Sequence, residues 1–531
     1  MSCAVLTRIP DAAEVAALDP HRVVQMLRSQ AEQIEALRAQ LDWFKRQLFG
    51  QKSERYAAQP DAQQMHLGEL MPMLAGAPEA ERQVPAHKRR KPRTDFADDG
   101  ASVPFFDEAR VPVVSIEVPN PEVQGLAPEQ VAQQYEVIGE KVSHRLAQRP
   151  GSYVVLRYVR RVIKRRDTAT LHCPAAPVGV IEGSRADVSF VAGVIRDKFQ
   201  WHLPLYRQHQ RLLEAGFKLS RPWLTQLVQQ GAQLLEPVYE AQFDSIRSSR
   251  VKAMDETPIK AARAGPGKMN VGYFWPVYGE QHEVCFPYLD SRQHGCVAKL
   301  LGSKPQSGEV LLSDGYAAYA RYAEATGVTH AQCWSHLRRG FFEALAAAPP
   351  EADQALKMIG RIYEVEAQIR QRAWSGQTKR EHRLTHAKPL VEAFFAWVDE
   401  QFARQGLLPS NRLTRALSYA RERKTALMVF LSDEDVPMDT NHLERALRPI
   451  PMGRRAWLFC WTEVGARHAG ILQSLIATCR LHGVDVYTYL VDVLQRVGEH
   501  PAARVAELTP RLWKQHFADK PLRSDLHGAL A

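Results

Sequence analysis

The sequence predicts an α/β protein: a sheet-based core interrupted by an all-helical insertion. Three observations predict it. Short β-branched runs alternate with helical periodicity from Arg250 to Ala347. From about Pro349 to Val436 strand signals give way to helical periodicity. Two of the apolar runs, Val251-Lys-Ala-Met-Asp255 and Val310-Leu-Leu-Ser-Asp314, end on an aspartate, as expected where a strand leaves a sheet.

In chain order, Leu27, Ile34, Leu41 and Leu48 form one heptad series, and Val23, Leu37 and Phe44 a second with Gln30 as its polar exception. A coiled-coil-like helix over residues 16–50 accounts for this spacing, and so does an ordinary amphipathic helix. Residues 51–110 read as a flexible basic linker, rich in Gln, Ala, Pro and Gly, carrying Lys88, Arg89, Arg90 and Lys91. That run suits phosphates or simply solvent. Residues 111–177 read as short strands, in which alternation places Arg157, Arg160 and Arg161 partly on an exposed stripe: a DNA-facing ribbon or a solvated sheet face. Residues 190–245 read as helical, with Leu205–Ala215 and Arg221–Gln230 around Gly216 and a Ser220 cap, the pattern of a helix-turn-helix or of simple helical packing.

The core, 250–475, predicts strands at Arg250–Met254, Asn270–Tyr278, His282–Leu289, Glu309–Ser313 and Val328–Cys333. Helices are expected at Gln293–Leu301, Ala317–Ala325 and His336–Ala347. Three strands, helix, strand, helix, strand, helix is the order of a ribonuclease H-like fold, in which the strands leading to Asp255 and Asp314 are neighbours. After the insertion at about 349–436, Leu443, Ala446, Leu447 and Ile450 give a core face, with Asn441, Glu444, Arg445 and Arg448 beside it and Pro449 closing the helix. A tail occupies 476–531.

Carboxylates gathered at a sheet edge suit two hard divalent cations, the arrangement that serves phosphoryl displacement in polymerases and nucleases. Asp255, Asp314 and Glu444 are the candidate catalytic and metal-binding residues, with two Mg²⁺ expected and Mn²⁺ as a substitute. Singly, each has an ordinary explanation as turn-former, cap or ion-pair partner. Alternation predicts that Glu256 turns away from the face that Asp255 serves, and Asp439 suits a helix cap. Arg338, Arg339, Arg448, Arg454 and Arg455 would place positive charge around a phosphodiester, while Trp457 and Trp461 would stack on a base or fill the core. Cys333-Trp-Ser-His336 with His382 and His386 invites a zinc reading, but one Cys and three dispersed His make a weak signature, and no zinc is expected.

Lys and Arg (69) outnumber Asp and Glu (59), a formal charge of +10 that favours a polyanionic partner. Seven cysteines without a C-x-x-C pair argue for a reducing compartment. No spanning apolar run or leader is recognisable, so a soluble cytoplasmic protein, nucleoid-associated when bound to DNA and without a membrane partner, is expected.

Asp-Glu-Thr-Pro at 255 to 258, Ser-Asp-Gly-Tyr at 313 to 316, Cys-Trp-Ser-His-Leu-Arg-Arg at 333 to 339, Asn-His-Leu-Glu-Arg-Ala-Leu-Arg-Pro-Ile at 441 to 450 and the following Gly-Arg-Arg-Ala-Trp-Leu-Phe resemble the DDE transposase of the insertion sequence 66 family. The resemblance extends from Leu-Phe-Gly-Gln-Lys-Ser-Glu at 48 to 54 through His-Leu-Pro-Leu-Tyr-Arg at 202 to 207 to Leu-His-Gly-Val-Asp at 481 to 485. It implies a ribonuclease H-like domain with acids at Asp255, Asp314 and Glu444, cleaving and joining double-stranded DNA at element ends and target. A homo-oligomer and element-encoded accessory proteins are the further partners expected. The family's small zinc module carries paired cysteines, whereas 111–177 holds only Cys173, so it reads as a degenerate module without zinc ligands. The rival readings are a decayed transposase that only binds DNA and a hydrolase that never joins strands.

Overall fold

A computed structural model describes residues 105–528 except 108, 110, 150–151, 266–267, 405–407, 458–459 and 461. The predicted zipper helix and the linker as far as residue 104, with Lys88, Arg89, Arg90 and Lys91, lie outside the described residues, as does Trp461, whereas Phe105 and Phe106 at the end of the expected linker are buried in the core. Among the described residues no helix is long and apolar enough to cross a membrane.

The first sheet joins β1 (Val113–Val118), β2 (Tyr135–Arg149), β3 (Ser152–Arg165) and β4 (Leu171–His172), with α1 (Pro128–Gln134) leading into β2. β2 and β3 pair antiparallel along almost their whole length, and β1 runs parallel to β3. The expected short strands are thus corrected to one long hairpin. Its register, maintained from Tyr135 opposite Arg165 to Arg149 opposite Ser152, is broken only by an irregularity between Val137 and Gly139. Alternation within it exposes Arg161 and buries Arg160, which is 5% exposed and donates to the Pro174 carbonyl. The expectation that Arg160 faces a phosphate is therefore corrected: its side chain lies beneath the segment after β4.

Next come α2 (Val188–Phe199), α3 (Leu205–Glu214) and α4 (Arg221–Arg247). Gly216 turns the chain between α3 and α4 at φ 94°, a left-handed conformation that costs glycine little. α4 is far longer than the expected ten-residue second helix. Its buried positions run from Leu224 to Ile246, so it is a structural spine of the core.

Two sheets follow. β5 (Val251–Met254), β8 (Val277–Gly279), β9 (Val284–Cys285), β11 (Val310–Ser313) and β12 (Thr329–Gln332) form a five-stranded sheet in the order β12-β11-β5-β8-β9. β5, β11 and β12 are parallel, β8 pairs antiparallel with β5, and β9 pairs antiparallel with β8 and so returns to the direction of β5. Every residue of β5 and β11 is buried, as expected for parallel strands covered on both faces. β6 (Thr257–Gly265), β7 (Lys268–Phe274) and β10 (Tyr288–Leu289) form a separate antiparallel sheet. The strands expected at Asn270–Tyr278 and His282–Leu289 are each split between the two sheets. Pro276 and Pro287 mark the breaks, because proline has no N–H to donate to a ladder. β6 carries no clean alternation in its sequence and was not expected.

Around the five-stranded sheet lie α5 (Gly295–Leu301), α6 (Ala317–Thr326) and α7 (Trp334–Ala344). The segment before the third acid is helical: α8 (Pro349–Gln371), α9 (Gly376–His382), a π-helical turn (Arg383–Ala387), α10 (Lys388–Ala403), α11 (Arg412–Glu422) and α12 (Lys424–Ser432). α13 (Asn441–Leu447) and α14 (Pro449–Trp457) precede α15 (Glu463–Leu481), α16 (Val486–Arg496), α17 (Pro510–His516) and α18 (Asp525–Gly528). α15 passes so close to the sheets that a Cβ at Gly470 would meet the Phe286 carbonyl oxygen at 2.3 Å. Close backbone approach of this kind admits only glycine.

Candidate active site

Strand register brings the first two acids together. Val310 pairs with Val251 and Leu312 with Ala253, an offset of 59 that carries Asp314 opposite Asp255 just beyond the paired ends. Both chains bend immediately after the acids. Asp255 Oδ1 accepts from the Glu256 N–H (2.8 Å) and Asp314 Oδ1 from the Tyr316 N–H (2.9 Å), so each carboxylate is fixed by its own turn.

Asp255, Glu256 and Asp314 each offer a carboxylate oxygen within 4.8 Å of the others. This corrects the expectation that Glu256 points away. Strand alternation ends at Met254, and residues 255 and 256 form the crossing from β5 to β6, where the period of two no longer applies. Glu256 is held from both sides: Arg292 Nε donates to Oε1 at 2.9 Å and the Tyr319 hydroxyl to Oε2 at 2.6 Å. Arg292 in turn lies over the Tyr316 ring, 4.1 Å from its centroid.

Burial pushes the Asp255 carboxyl up to about 7, with the Glu256 and Asp314 charges adding to the effect and the Glu256 N–H and His336 opposing it. Glu256 is raised for the same first reason. In the metal-free protein this cluster is short of positive charge, and hard carboxylate oxygens at this spacing fit a divalent cation such as Mg²⁺. Asp255 holds its proton in the folded chain at a pH where the unfolded chain has lost it, so its stabilising contribution is complete below about pH 4 and is lost as pH rises towards 7. Asp255→Asn removes that loss. Metal-free Asp255→Asn protein is expected to be more stable than wild type at pH 8 by on the order of 2–4 kcal/mol, the difference shrinking towards pH 4. Thermal unfolding in chelator across that range checks it. A variant equal to or less stable than wild type at pH 8 contradicts the electrostatic picture.

Glu444 sits in the first turn of α13, half-buried, with Leu443, Ala446, Leu447 and Ile450 buried beside it. It is not part of the three-carboxylate group among the described residues, yet it reaches the same neighbourhood through His336, whose ring feels the charges of both Asp314 and Glu444. His336 is raised to about 9, chiefly by the neighbouring Cys333 sulfur. Burial works against the Cys333 thiolate, but His336, Ser335 and Thr440 outweigh it and lower the thiol. Thr440 Oγ1 lies 3.4 Å from Glu444 Oε1; Thr440 occupies the N-cap position expected of Asp439, which stands one residue earlier and accepts from the Asn441 N–H at 3.0 Å. The sequence offers Cys333 only as one member of a weak zinc signature, not as a partner of Thr440. The signal available was its place at the end of a strand, two elements from an acid.

The basic candidates divide. Arg338, Arg339 and Arg448 are exposed. The half-buried Arg454 is bound to the Pro258 carbonyl at the far end of the Asp-Glu-Thr-Pro segment. Arg161 is 3.5 Å from Glu117, an exposed ion pair that competes with any phosphate, while Arg157 is half-buried on the same hairpin. The side chains of Arg455 and Trp457 lie outside the described residues. Cys333 with His336 and His382 with His386, whose rings are 4.4 Å apart, form two pairs, and among the described residues no group of three metal-capable side chains includes them.

Comparison with known proteins agrees along most of the chain. Residues 183–468 match the family described as "Transposase IS66 family", 474–511 match "IS66 C-terminal element" and 36–99 match "Transposase C of IS166 homeodomain". Similar chains from Sinorhizobium fredii (strain NBRC 101917 / NGR234) include "Uncharacterized protein y4hP", 28% identical over 517 residues, 91% of this chain and 90% of the relative. "Uncharacterized protein y4jD" is 27% identical over 396 residues, 71% of this chain and 76% of the relative. With the matched region spanning more than half of its length, the chain belongs to the IS66 family of transposases.

Proposed function

We propose that the protein is a DDE-type DNA transposase with a ribonuclease H-like catalytic core, which cleaves double-stranded DNA at the ends of an insertion sequence and joins those ends to a target. The observation that carries this reading is the convergence of Asp255 and Asp314 at the ends of adjacent parallel strands, with Glu444 coupled to the same His336. The sheet order, in which β8 alone runs against the direction of β5, β9, β11 and β12, supports the ribonuclease H-like core. Asp255, Asp314 and Glu444 are the proposed holders of divalent metal, and Glu256 joins them as a further candidate. Bound Mg²⁺ would supply Lewis-acid activation of a water or 3′-hydroxyl oxygen and charge stabilisation on the leaving oxygen. The protein's own part is to hold the carboxylates, keep them partly out of water and present Arg338, Arg339 and Arg448 towards the phosphodiester. The chain acts in the cytoplasm as an oligomer on this reading, with its N-terminal zipper pairing subunits.

The test is incubation of the full chain with Mg²⁺ and DNA carrying the element's two ends. Cleaved ends together with joined products are expected. Cleavage without joining would favour a hydrolase, and neither product, with end binding intact, a protein that only binds DNA.

End binding is proposed to involve the β2–β3 hairpin as well as the basic linker. Truncation is a poor probe of it, because Leu146 and Val155 of the hairpin belong to the main core. The double variant Arg157→Gln with Arg161→Gln is expected instead to weaken DNA binding about tenfold at low salt and to flatten its salt dependence. Fluorescence anisotropy over a salt series measures both, and an unchanged slope would remove the hairpin from the interface.

A further inference from the structure

We infer that Cys333 is a positioning residue: with Thr440 it forms the joint that sets Glu444 against the sheet end bearing Asp314. This inference rests on the proposed catalytic role of the three acids.

The joint is built from both sides. The Cys333 N–H donates to the carbonyl of Ser313, the residue before Asp314, at 3.1 Å. Its sulfur accepts from the Thr440 N–H at 3.2 Å and lies 3.2 Å from Thr440 Oγ1, which is 3.4 Å from Glu444 Oε1. The Thr440 carbonyl accepts from the Glu444 N–H at 2.9 Å, and the Trp334 N–H donates to Met438 at 3.2 Å. Cys333 is wholly buried and Thr440 is 1% exposed, so no water competes for these contacts.

Two features separate this arrangement from a cysteine that merely fills space. A buried free thiol normally behaves as a small hydrophobe. Here Thr440 N, Thr440 Oγ1 and Ser335 Oγ all converge on the sulfur within 3.2 Å. The second feature is what the joint connects. Cys333 and Thr440 are 107 positions apart, with the helical insertion between them, and Glu444 rides on a helix of only seven residues. So short a helix takes its direction from what holds its ends. Thr440 has one hydroxyl proton, to be given either to the sulfur or to Glu444, so both partners together fix its rotamer.

The test uses the full chain and the variants Cys333→Ala, Cys333→Ser, Thr440→Val and Thr440→Ser. Metal-dependent cleavage of end-bearing DNA, Mn²⁺ binding followed by electron paramagnetic resonance, and thermal unfolding are measured on each. Expected for Thr440→Val and Cys333→Ala are a ten- to thirtyfold lower kcat, an unchanged KM for DNA and a several-fold weaker Mn²⁺ affinity. Thr440→Ser should return to within about threefold of wild type, and Cys333→Ala with Thr440→Val should be no worse than the poorer single variant, because one link cannot be broken twice. If Cys333→Ala fails to fold, the comparison of Thr440→Val with Thr440→Ser carries the test alone. Wild-type cleavage and Mn²⁺ binding in Thr440→Val, alongside loss of both in Glu444→Ala, would overturn the joint while leaving the three acids in place. Wild-type protein that neither cleaves nor loses Mn²⁺ affinity on Asp255→Ala or Glu444→Ala would overturn the catalytic reading, and the joint with it.

Discussion

Replacing Asp255 or Asp314 with alanine is expected to lower metal-dependent cleavage at least about 1000-fold, roughly 4 kcal/mol of transition-state stabilisation, while DNA binding stays within a few-fold of wild type. The two carboxylates lie opposite each other at the ends of adjacent parallel strands, so removal of either leaves half of any metal site. Glu444→Ala is expected to be comparably damaging to cleavage. Asp→Asn keeps the shape but not the charge and should be nearly as harmful, even though Asp255→Asn stabilises the metal-free chain; opposite effects on stability and activity at one residue are the signature of a site built for a cation. Glu256→Gln is expected to raise the Mg²⁺ concentration needed for half-maximal cleavage about tenfold, since its carboxylate stands in the cluster. Asp439→Asn, which retains an acceptor for the Asn441 N–H, should stay near wild type. Single-turnover cleavage across a Mg²⁺ series measures all of these. Near-normal cleavage by Asp314→Ala would remove the sheet edge from the chemistry, and loss in Asp439→Asn with retention in Glu444→Ala would move the third acid.

Arg383→Ala is expected to cost about 3–5 kcal/mol in stability of the helical segment that separates β12 from α13. The guanidinium is 1% exposed and grips Glu366 with two bonds, at 2.7 and 2.9 Å, while Nη1 faces the carbonyls of Phe430, Asp433 and Val436 within 3.2 Å. Alanine leaves a buried carboxylate and several carbonyl oxygens without their donor. Because those carbonyls lie in the stretch leading to Thr440 and Glu444, the loss is expected to reach cleavage as well. Hydrogen exchange across 349–436 provides the measurement, with protection falling there first. Pairing Arg383→Met with Glu366→Leu should recover the part of the loss that comes from the unpaired carboxylate but not the part that comes from the carbonyls of Phe430, Asp433 and Val436, which remain without a donor. Unchanged exchange in Arg383→Ala would mean that packing among α8, α10 and α12 holds this segment unaided.

How much of this was legible in the residues differs from element to element. β5 and β11 were plain because buried parallel strands are short, continuous and apolar, and each ends on its aspartate. The helix of Glu444 was equally plain from Leu443, Ala446, Leu447 and Ile450. The runs at Asn270–Tyr278 and His282–Leu289 misled because one apolar stretch served two sheets, and only Pro276 and Pro287 hinted at the change. Arg160 misled because period-two alternation says which side chains share a face, not what later covers that face; the chain around Pro174 does so.

By itself the sequence determined the strands that end beside Asp255 and Asp314, the helix that carries Glu444 and the family to which the chain belongs, all of which are local matters of residue type, period and spacing. The tertiary structure alone decided that Glu256 turns into the cluster, that Arg160 is buried, and that Cys333 meets Thr440 across 107 positions. These depend on where the chain goes after a strand ends, and contacts between distant segments leave no periodic trace in either segment.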